Sequence, residues 1–163
     1  MSTPAWKQTI WRIAGAWLFR HSPHIAHRFR RALLRFFGAD IDNRAKVRRS
    51  VRIDCPWNLT MRELAIVGDH AIINCTSPVL LGARSVVSQL SVVTPRMHDP
   101  SGDGGSLIDE PIRVEDDAWV AADTLVLPGA VISTGTVVGA RGLIERGQVT
   151  EPWTIAVGHP AKT

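Results

Sequence analysis

Cysteine is scarce in this sequence: Cys55 and Cys75 are the only two among 163 residues, and they form no Cys-x-x-Cys. That argues against a secreted disulfide scaffold and fits a reducing cytoplasm. Long apolar runs are missing too. No stretch reaches roughly 18 uncharged apolar residues, so no membrane-spanning helix is expected. The apolar opening from Trp6 to Phe19 is broken by Lys7 and Arg12 and precedes no small-residue cleavage site, so a cleaved secretion signal is not expected either. Acidic residues are rare at the start. The first 52 residues carry 12 Lys and Arg against Asp40 and Asp42, a local +10, whereas the remaining 111 carry 7 against 13, or −6. A basic opening suits nucleic acid, anionic lipid or an acidic substrate, or is simply a solvated face; charge alone does not choose.

What the sequence does contain is periodicity of two kinds. From Gln8 to Phe37 apolar residues recur at three and four: Ile10, Ile13, Ala14 and Trp17, then Ile25, Phe29, Ala32, Leu33 and Phe36. This spacing predicts two amphipathic helices meeting at Ser22-Pro23, the second closed by Gly38. The second helix sets His27, Arg28, Arg30, Arg31 and Arg35 around an aromatic and aliphatic stripe. That composition fits a membrane-surface helix, and equally a helix packed on the main domain.

Beyond Gly38 the period becomes six. Apolar residues stand at Ile41, Val47 and Ile53; Met61, Val67 and Ile73; Leu81, Val87 and Val93; and then, without a break, at Val114, Val120, Val126, Ile132, Val138 and Ile144. A six-residue unit suits a short strand plus a turn, so three units make one triangular coil with one apolar side chain per face pointing inward. Ala118, Thr124, Ala130, Thr136 and Gly142, four places on from those residues, fit the tight turns. The excess residues after 53, 73 and 93 each follow a third unit, so all three insertions leave at one corner. The expected fold is an all-β, left-handed parallel β-helix of about five coils over 39–163, with an inserted loop at 96–110 and an N-terminal helical segment over 1–38.

The long insertion opens with Arg96-Met97-His98-Asp99-Pro100 and continues through a glycine-rich, polar stretch, expected to project as a mobile loop. An imidazole so placed can take a proton from an attacking hydroxyl and return it to a leaving thiolate, which is what acyl transfer from a thioester requires.

Four stretches then carry a resemblance: Trp17-Leu18-Phe19-Arg20 through Leu34-Arg35-Phe36-Phe37-Gly38-Ala39; His98-Asp99; Pro111-Ile112 running into Ala118-Trp119-Val120-Ala121-Ala122; and Pro152-Trp153-Thr154 with Gly158-His159-Pro160-Ala161-Lys162. In these the chain resembles the hexapeptide-repeat acyltransferases, and within them the colanic-acid-type O-acetyltransferases of exopolysaccharide sugars. The resemblance implies acetyl-CoA as acyl donor, no metal, a sugar or polysaccharide-precursor acceptor rather than nucleic acid, and a homotrimer with active sites between neighbouring prisms. It further implies His98 as general base; Asp99 either orients the imidazole or caps the loop, since Asp before Pro favours a turn. Ala121, Ala122, Gly139 and Ala140 would hold the pantetheine arm, Trp119 would line the thioester site, and Arg141 and Lys162 would meet CoA phosphate. Asn74, Arg96 and Met97 are the acceptor-side candidates, with an inward-facing amide ladder as the alternative for Asn74. Arg96-Met97 stands where relatives commonly carry a small pair, and His159 where asparagine is usual.

Two other readings compete. A γ-class carbonic anhydrase on the same fold needs three zinc-binding histidines, and His70 with His98 lacks a third; His21, His24 and His27 straddle Ser22-Pro23 without an acidic or cysteine partner. The other is a catalytically silent trimeric scaffold or membrane-docking module that uses the basic aromatic helices as its contact surface.

Overall fold

The computed structural model describes residues 5–99 and 105–163. From Asp40 onward short parallel strands stack into three faces. Face 1 comprises Asp40–Ile41, Leu59–Met61, Val79–Leu81, Ile112–Val114 and Val131–Ile132. Face 2 comprises Lys46–Val47, Ile66–Val67, Val86–Val87, Trp119–Val120, Val137–Val138 and Ile155–Gly158. Face 3 comprises Arg52–Ile53, Ile72–Ile73, Val92–Val93, Leu125–Val126 and Leu143–Ile144. The chain is a left-handed parallel β-helix with five complete coils. A sixth is begun by Val149, bridged to Val131, and by Ile155–Gly158.

All fifteen apolar residues of the six-residue period are buried, none more than 7% exposed. Apolar side chains above one another, all valine on face 2 through the five complete coils, fill the prism in columns, while each coil pairs with the next through the backbone. Turn geometry differs from expectation by one residue. The small residues Ala118, Thr124, Ala130, Thr136 and Gly142 are buried in the corners, but the left-handed residue that makes each turn precedes them: Asp117, Asp123, Gly129, Gly135 and Arg141, with φ between +58° and +73°. The corner needs a small side chain because it points inward. The turn residue points out, so it need not be glycine, at about 1 kcal/mol of strain for each exception.

Ile53, Ile73 and Val93 all end face-3 strands, and the chain resumes on face 1 at Leu59, Val79 and Ile112. The three insertions therefore do share one corner. The longest begins as an antiparallel hairpin, Arg96–His98 against Leu107–Asp109, and not as a structureless loop; the glycine-rich residues 100–104 lie outside the described residues.

The helical opening meets at Ser22-Pro23 as expected. One arm runs continuously as α-helix Ala5–Ile10, a π turn Trp11–Gly15 and α-helix Ala16–Arg20, and the other is α-helix His27–Phe36, ended at Gly38 with φ +102°. The π turn was not foreseen. It lays the Trp11 indole over Gly15, where an added Cβ would stand 2.5 Å from Trp11 Cε3.

These helices meet a specific need. Within the prism, N–H groups of one coil donate to carbonyls of the next: Asp42 to Met61, Lys46 to Ala65, Arg48 to Val67 and Arg52 to Ala71. The first coil is left with carbonyls that no coil serves, an open edge of the kind sheets must cover. The helices supply the donors. Arg35 Nε donates to Ile41 O at 2.7 Å, Arg31 Nη1 to Ala45 O at 3.0 Å, Arg30 Nε to Val47 O at 2.9 Å and Trp11 Nε1 to Ile53 O at 3.0 Å. Arg30 is only 1% exposed and spends its other donors on Ser22 Oγ, Pro23 O, His24 O and His27 Nδ1. Three arginines that read as surface charge are thus structural caps.

Replacing Arg30 by methionine keeps the bulk and removes every donor, so we expect a loss of about 3 kcal/mol in urea unfolding, with Arg30→Lys recovering only a minor part. His27 gives a second expectation. Burial first, and the Arg30 guanidinium next, hold its imidazole below its ordinary value of 6.5, and its Nδ1, 3.0 Å from Arg30 Nη2, accepts only when neutral. The unfolded chain therefore binds the proton first. Stability is full above pH 6.5 and falls as pH drops below it. Urea midpoints measured from about pH 7 to about pH 5 should decline more for the wild type than for His27→Gln.

Candidate active site

The corner where face 3 returns to face 1 carries the long insertion with His98. Arg96, Met97 and His98 lie in register with Asp109, Ile108 and Leu107. Alternation along a strand turns Met97 inward with buried Ile108, and leaves Arg96 and His98 on the other, exposed side. Arg96 does not reach out freely: its Nε donates to Asp109 Oδ2 at 3.0 Å, its Nη2 also contacts that oxygen, and Thr76 Oγ1 donates to Asp109 Oδ1 at 3.1 Å. Charge beside the imidazole thus serves to clamp the hairpin. Asp99 continues the pairing through its backbone, its N–H donating to Ser106 O at 3.0 Å. Behind the hairpin, Glu110 receives Arg146 Nε at 3.2 Å, which holds its carboxyl below the usual range and ties the insertion to the fifth coil.

Asn74 belongs to the same corner one coil earlier. Its Nδ2 donates to Thr94 Oγ1 at 3.3 Å, and Thr94 Oγ1 donates to Arg96 O at 3.0 Å, so a polar path leads from Asn74 to the hairpin. Asn74 thus forms no inward amide ladder with the described residues.

The residues expected to meet the acyl donor lie at a different corner, between faces 2 and 3. Ala121-Ala122 and Gly139-Ala140-Arg141 stack there in successive coils: Ala121 N–H donates to Val138 O at 2.9 Å and Arg141 N–H to Ala122 O at 2.9 Å. Gly139 N–H donates to Ala156 O at 2.8 Å. A Cβ on Gly139 would come within 2.8 Å of Val157 Cγ1. Val157 is itself paired with Lys162 in the closing antiparallel turn. The Arg141 side chain is 85% exposed and touches Asp123 at 3.3 Å. Trp119, half-exposed on face 2, donates its Nε1–H to Ser88 Oγ at 2.8 Å, which holds the indole against the outside of the prism.

Within one chain, then, His98, Asp99, Arg96, Met97 and Asn74 share one corner and Trp119, Ala121, Ala122, Gly139, Ala140, Arg141 and Lys162 gather at another. Asp109 escaped the sequence reading; its only signal there was a carboxylate on the far limb of an insertion that opens with arginine. The histidines proposed for the metal reading disperse: His21 Nδ1 meets Trp17 O, His24 meets Arg48 and His27 meets Arg30. Among the described residues no three His, Cys, Asp or Glu side chains converge as metal ligands.

No family model matches the sequence. A protein of Escherichia coli (strain K12), provisionally named colanic acid biosynthesis acetyltransferase WcaF, is 38% identical over 138 residues, covering 85% of this chain and 76% of that protein. Two solved structures share the fold. A maltose O-acetyltransferase from Clostridium difficile 630 superposes with a TM-score of 0.84 at 19% identity, over 96% of this chain and 84% of the other. A hexapeptide-repeat acetyltransferase, VCA0836, from Vibrio cholerae O1 biovar eltor, solved with acetyl coenzyme A, gives 0.82 at 17% identity over 91% and 80%.

Proposed function

The chain belongs to the hexapeptide-repeat acetyltransferases, and on that premise we propose that it moves the acetyl group of acetyl-CoA onto a hydroxyl of a sugar or polysaccharide precursor, with His98 as general base. One observation carries the assignment of roles. The exposed imidazole of His98 stands on a clamped hairpin at one corner, and the small-residue shelf with its two cations stands at another.

The shelf fits the donor. Ala121, Ala122, Gly139 and Ala140 leave the backbone approachable along successive coils, as a pantetheine arm needs, and Arg141 and Lys162 are the exposed cations nearest it. Acetyl-CoA supplies an activated thioester carbonyl. His98 accepts the proton of the acceptor hydroxyl as its oxygen bonds to that carbon; when the C–S bond breaks, the imidazolium returns the proton to the departing thiolate. Asp99 steadies the imidazole through its place in the hairpin.

Because base and shelf lie at different corners, the site closes between subunits of a homotrimer. The outward columns support this. Face 3 presents Val92, Leu125 and Leu143, and face 2 presents Ile66, Val86, Val137 and Ile155, apolar side chains suited to subunit contact. The free thiols Cys55 and Cys75 fit a cytoplasmic setting.

The helical segment, which we read as an appendage over 1–38 to the catalytic prism over 39–163, fits contact with an anionic membrane at its inner face. No described helix is long and apolar enough to cross a membrane. Instead Trp6, Ile10, Ile13 and Trp17 of the first arm and Ile25, Phe29 and Phe36 beyond it are 44–86% exposed, beside Lys7 and Arg28, in a stretch of 39 residues without one Asp or Glu.

Thiol release from acetyl-CoA in the presence of a panel of sugar acceptors tests the chemistry. We expect His98→Ala to lower kcat by about 10²- to 10⁴-fold; release unaffected by that substitution overturns His98 as the base, and release absent with every acceptor overturns the transfer reading in favour of a silent scaffold. Co-sedimentation tests the surface. Vesicles containing phosphatidylglycerol should retain the protein and phosphatidylcholine vesicles should not, with Trp17→Glu and Phe29→Glu abolishing retention.

A further inference from the structure

Trp11, in capping Ile53, holds the first helical arm over face 3 without filling the space between them. Two adjoining hollows of about 330 and 540 Å³ remain, sharing Trp11, Ala16, Ile53 and Asp54 as walls. The first is completed by Arg20, Arg52 and Asn74, and the second by Gln8, Arg12, Trp57, Thr76 and Arg96. Gln8, Arg12, Ala16 and Arg20 recur at every fourth residue, so one stripe of the helix forms the length of this groove.

The charge of the groove is out of balance. The guanidiniums of Arg12, Arg20 and Arg52 have no ion-pair or hydrogen-bond partner among the described residues. The one carboxylate on the walls of both hollows, Asp54, is already engaged, its Oδ1 accepting from Cys55 N at 2.7 Å and Cys75 N at 2.5 Å. Five other guanidiniums of the opening segment are engaged within the fold. Arg30, Arg31 and Arg35 are consumed by the prism edge, and Arg44 and Arg48 by Glu63 and Asp69. Three uncommitted guanidiniums around a partly enclosed groove attract an anion.

The groove also leads to the reacting imidazole. Arg96 forms part of its second hollow, and Arg96 and His98, two apart on one strand, face the same side of the hairpin. Asn74, in the first hollow, is joined to the hairpin through Thr94. Arg12 and Arg20 are eight residues apart, about 12 Å along the helix, so the guanidinium pair Arg20 and Arg52 meets a charge well removed from the end that approaches His98.

We propose that this groove binds an anionic saccharide, one bearing a phosphate or a carboxylate, with Arg20 and Arg52 holding the charge and Arg12 standing beside the sugar. The proposal rests on the acetyl-transfer reading only in making that saccharide the acceptor. The half-buried indole of Trp57 suits the C–H face of a pyranose ring, and Asn74 and Thr76 suit its hydroxyls.

Calorimetric titration of the full chain, without acetyl-CoA, with glucose 1-phosphate, glucuronic acid and neutral methyl glucoside tests this. We expect at least one anionic probe to bind about tenfold or more tightly than the glucoside, and the contrast between the two anions tells phosphate from carboxylate. Arg20→Gln and Arg52→Gln should each weaken that binding about tenfold and, in the thiol-release assay, raise KM for the anionic acceptor with kcat unchanged. Arg49→Gln, outside the groove, should change neither. Equal affinity for neutral and anionic probes, or binding indifferent to Arg20 and Arg52, overturns the proposal. Charge-selective, arginine-dependent binding without thiol release supports the groove and counts against the acetyl-transfer reading alone.

Discussion

A parallel β-helix satisfies its backbone everywhere except at its ends, and the first coil of this one depends on four side-chain donors. Arg35, Arg31, Arg30 and Trp11 reach the carbonyls of Ile41, Ala45, Val47 and Ile53, positions that in the later coils, Ile73 excepted, are served by backbone N–H groups of the coil before. Without them the prism would begin on exposed acceptors able to template another chain. With them the helices become part of one core: Trp11, Phe19, Leu34 and Phe37 join the apolar columns of the coils.

Much of the functional architecture follows from that capping. Trp11 can reach Ile53 only if the first helical arm crosses face 3, and the crossing is what leaves a groove beneath Arg12 and Arg20. The π turn belongs to the same arrangement, since the indole lies where Gly15 offers no side chain. With its capping face committed to the prism and a second stripe lining the groove, the arm has only its outer stripe of Trp6, Ile10, Ile13 and Trp17 left for an outside surface. Each stripe of one helix has its own neighbour, and the arginines divide accordingly into those that cap, those that line and those that face outward.

At the hairpin the same economy holds. Arg96 looks obstructive beside the proposed base, yet its ion pair with Asp109 fixes the hairpin register that sets His98 outward and Met97 inward. The small-residue shelf needs no comparable clamp, because Gly139, Ala140 and their neighbours ride on the stacked coils themselves. A rigid shelf at one corner and a clamped hairpin at another are the parts that the proposed trimer would bring together.

The columnar core was legible in the sequence because burial there is periodic. Val and Ile at every sixth position point inward whatever happens elsewhere, and the extra residues after 53, 73 and 93 betray their shared corner by count alone. His98 was legible as well, as the imidazole that opens the one long insertion. Tertiary structure decided the rest. Arg30 and Arg35 look like solvated charges on an amphipathic stripe, and nothing local distinguishes them from Arg20; only the approach of the first coil makes one a buried cap and leaves the other facing a groove. Local pattern reports which side chains avoid water. Which donor meets which acceptor depends on where two distant segments cross, and that is a property of the folded chain.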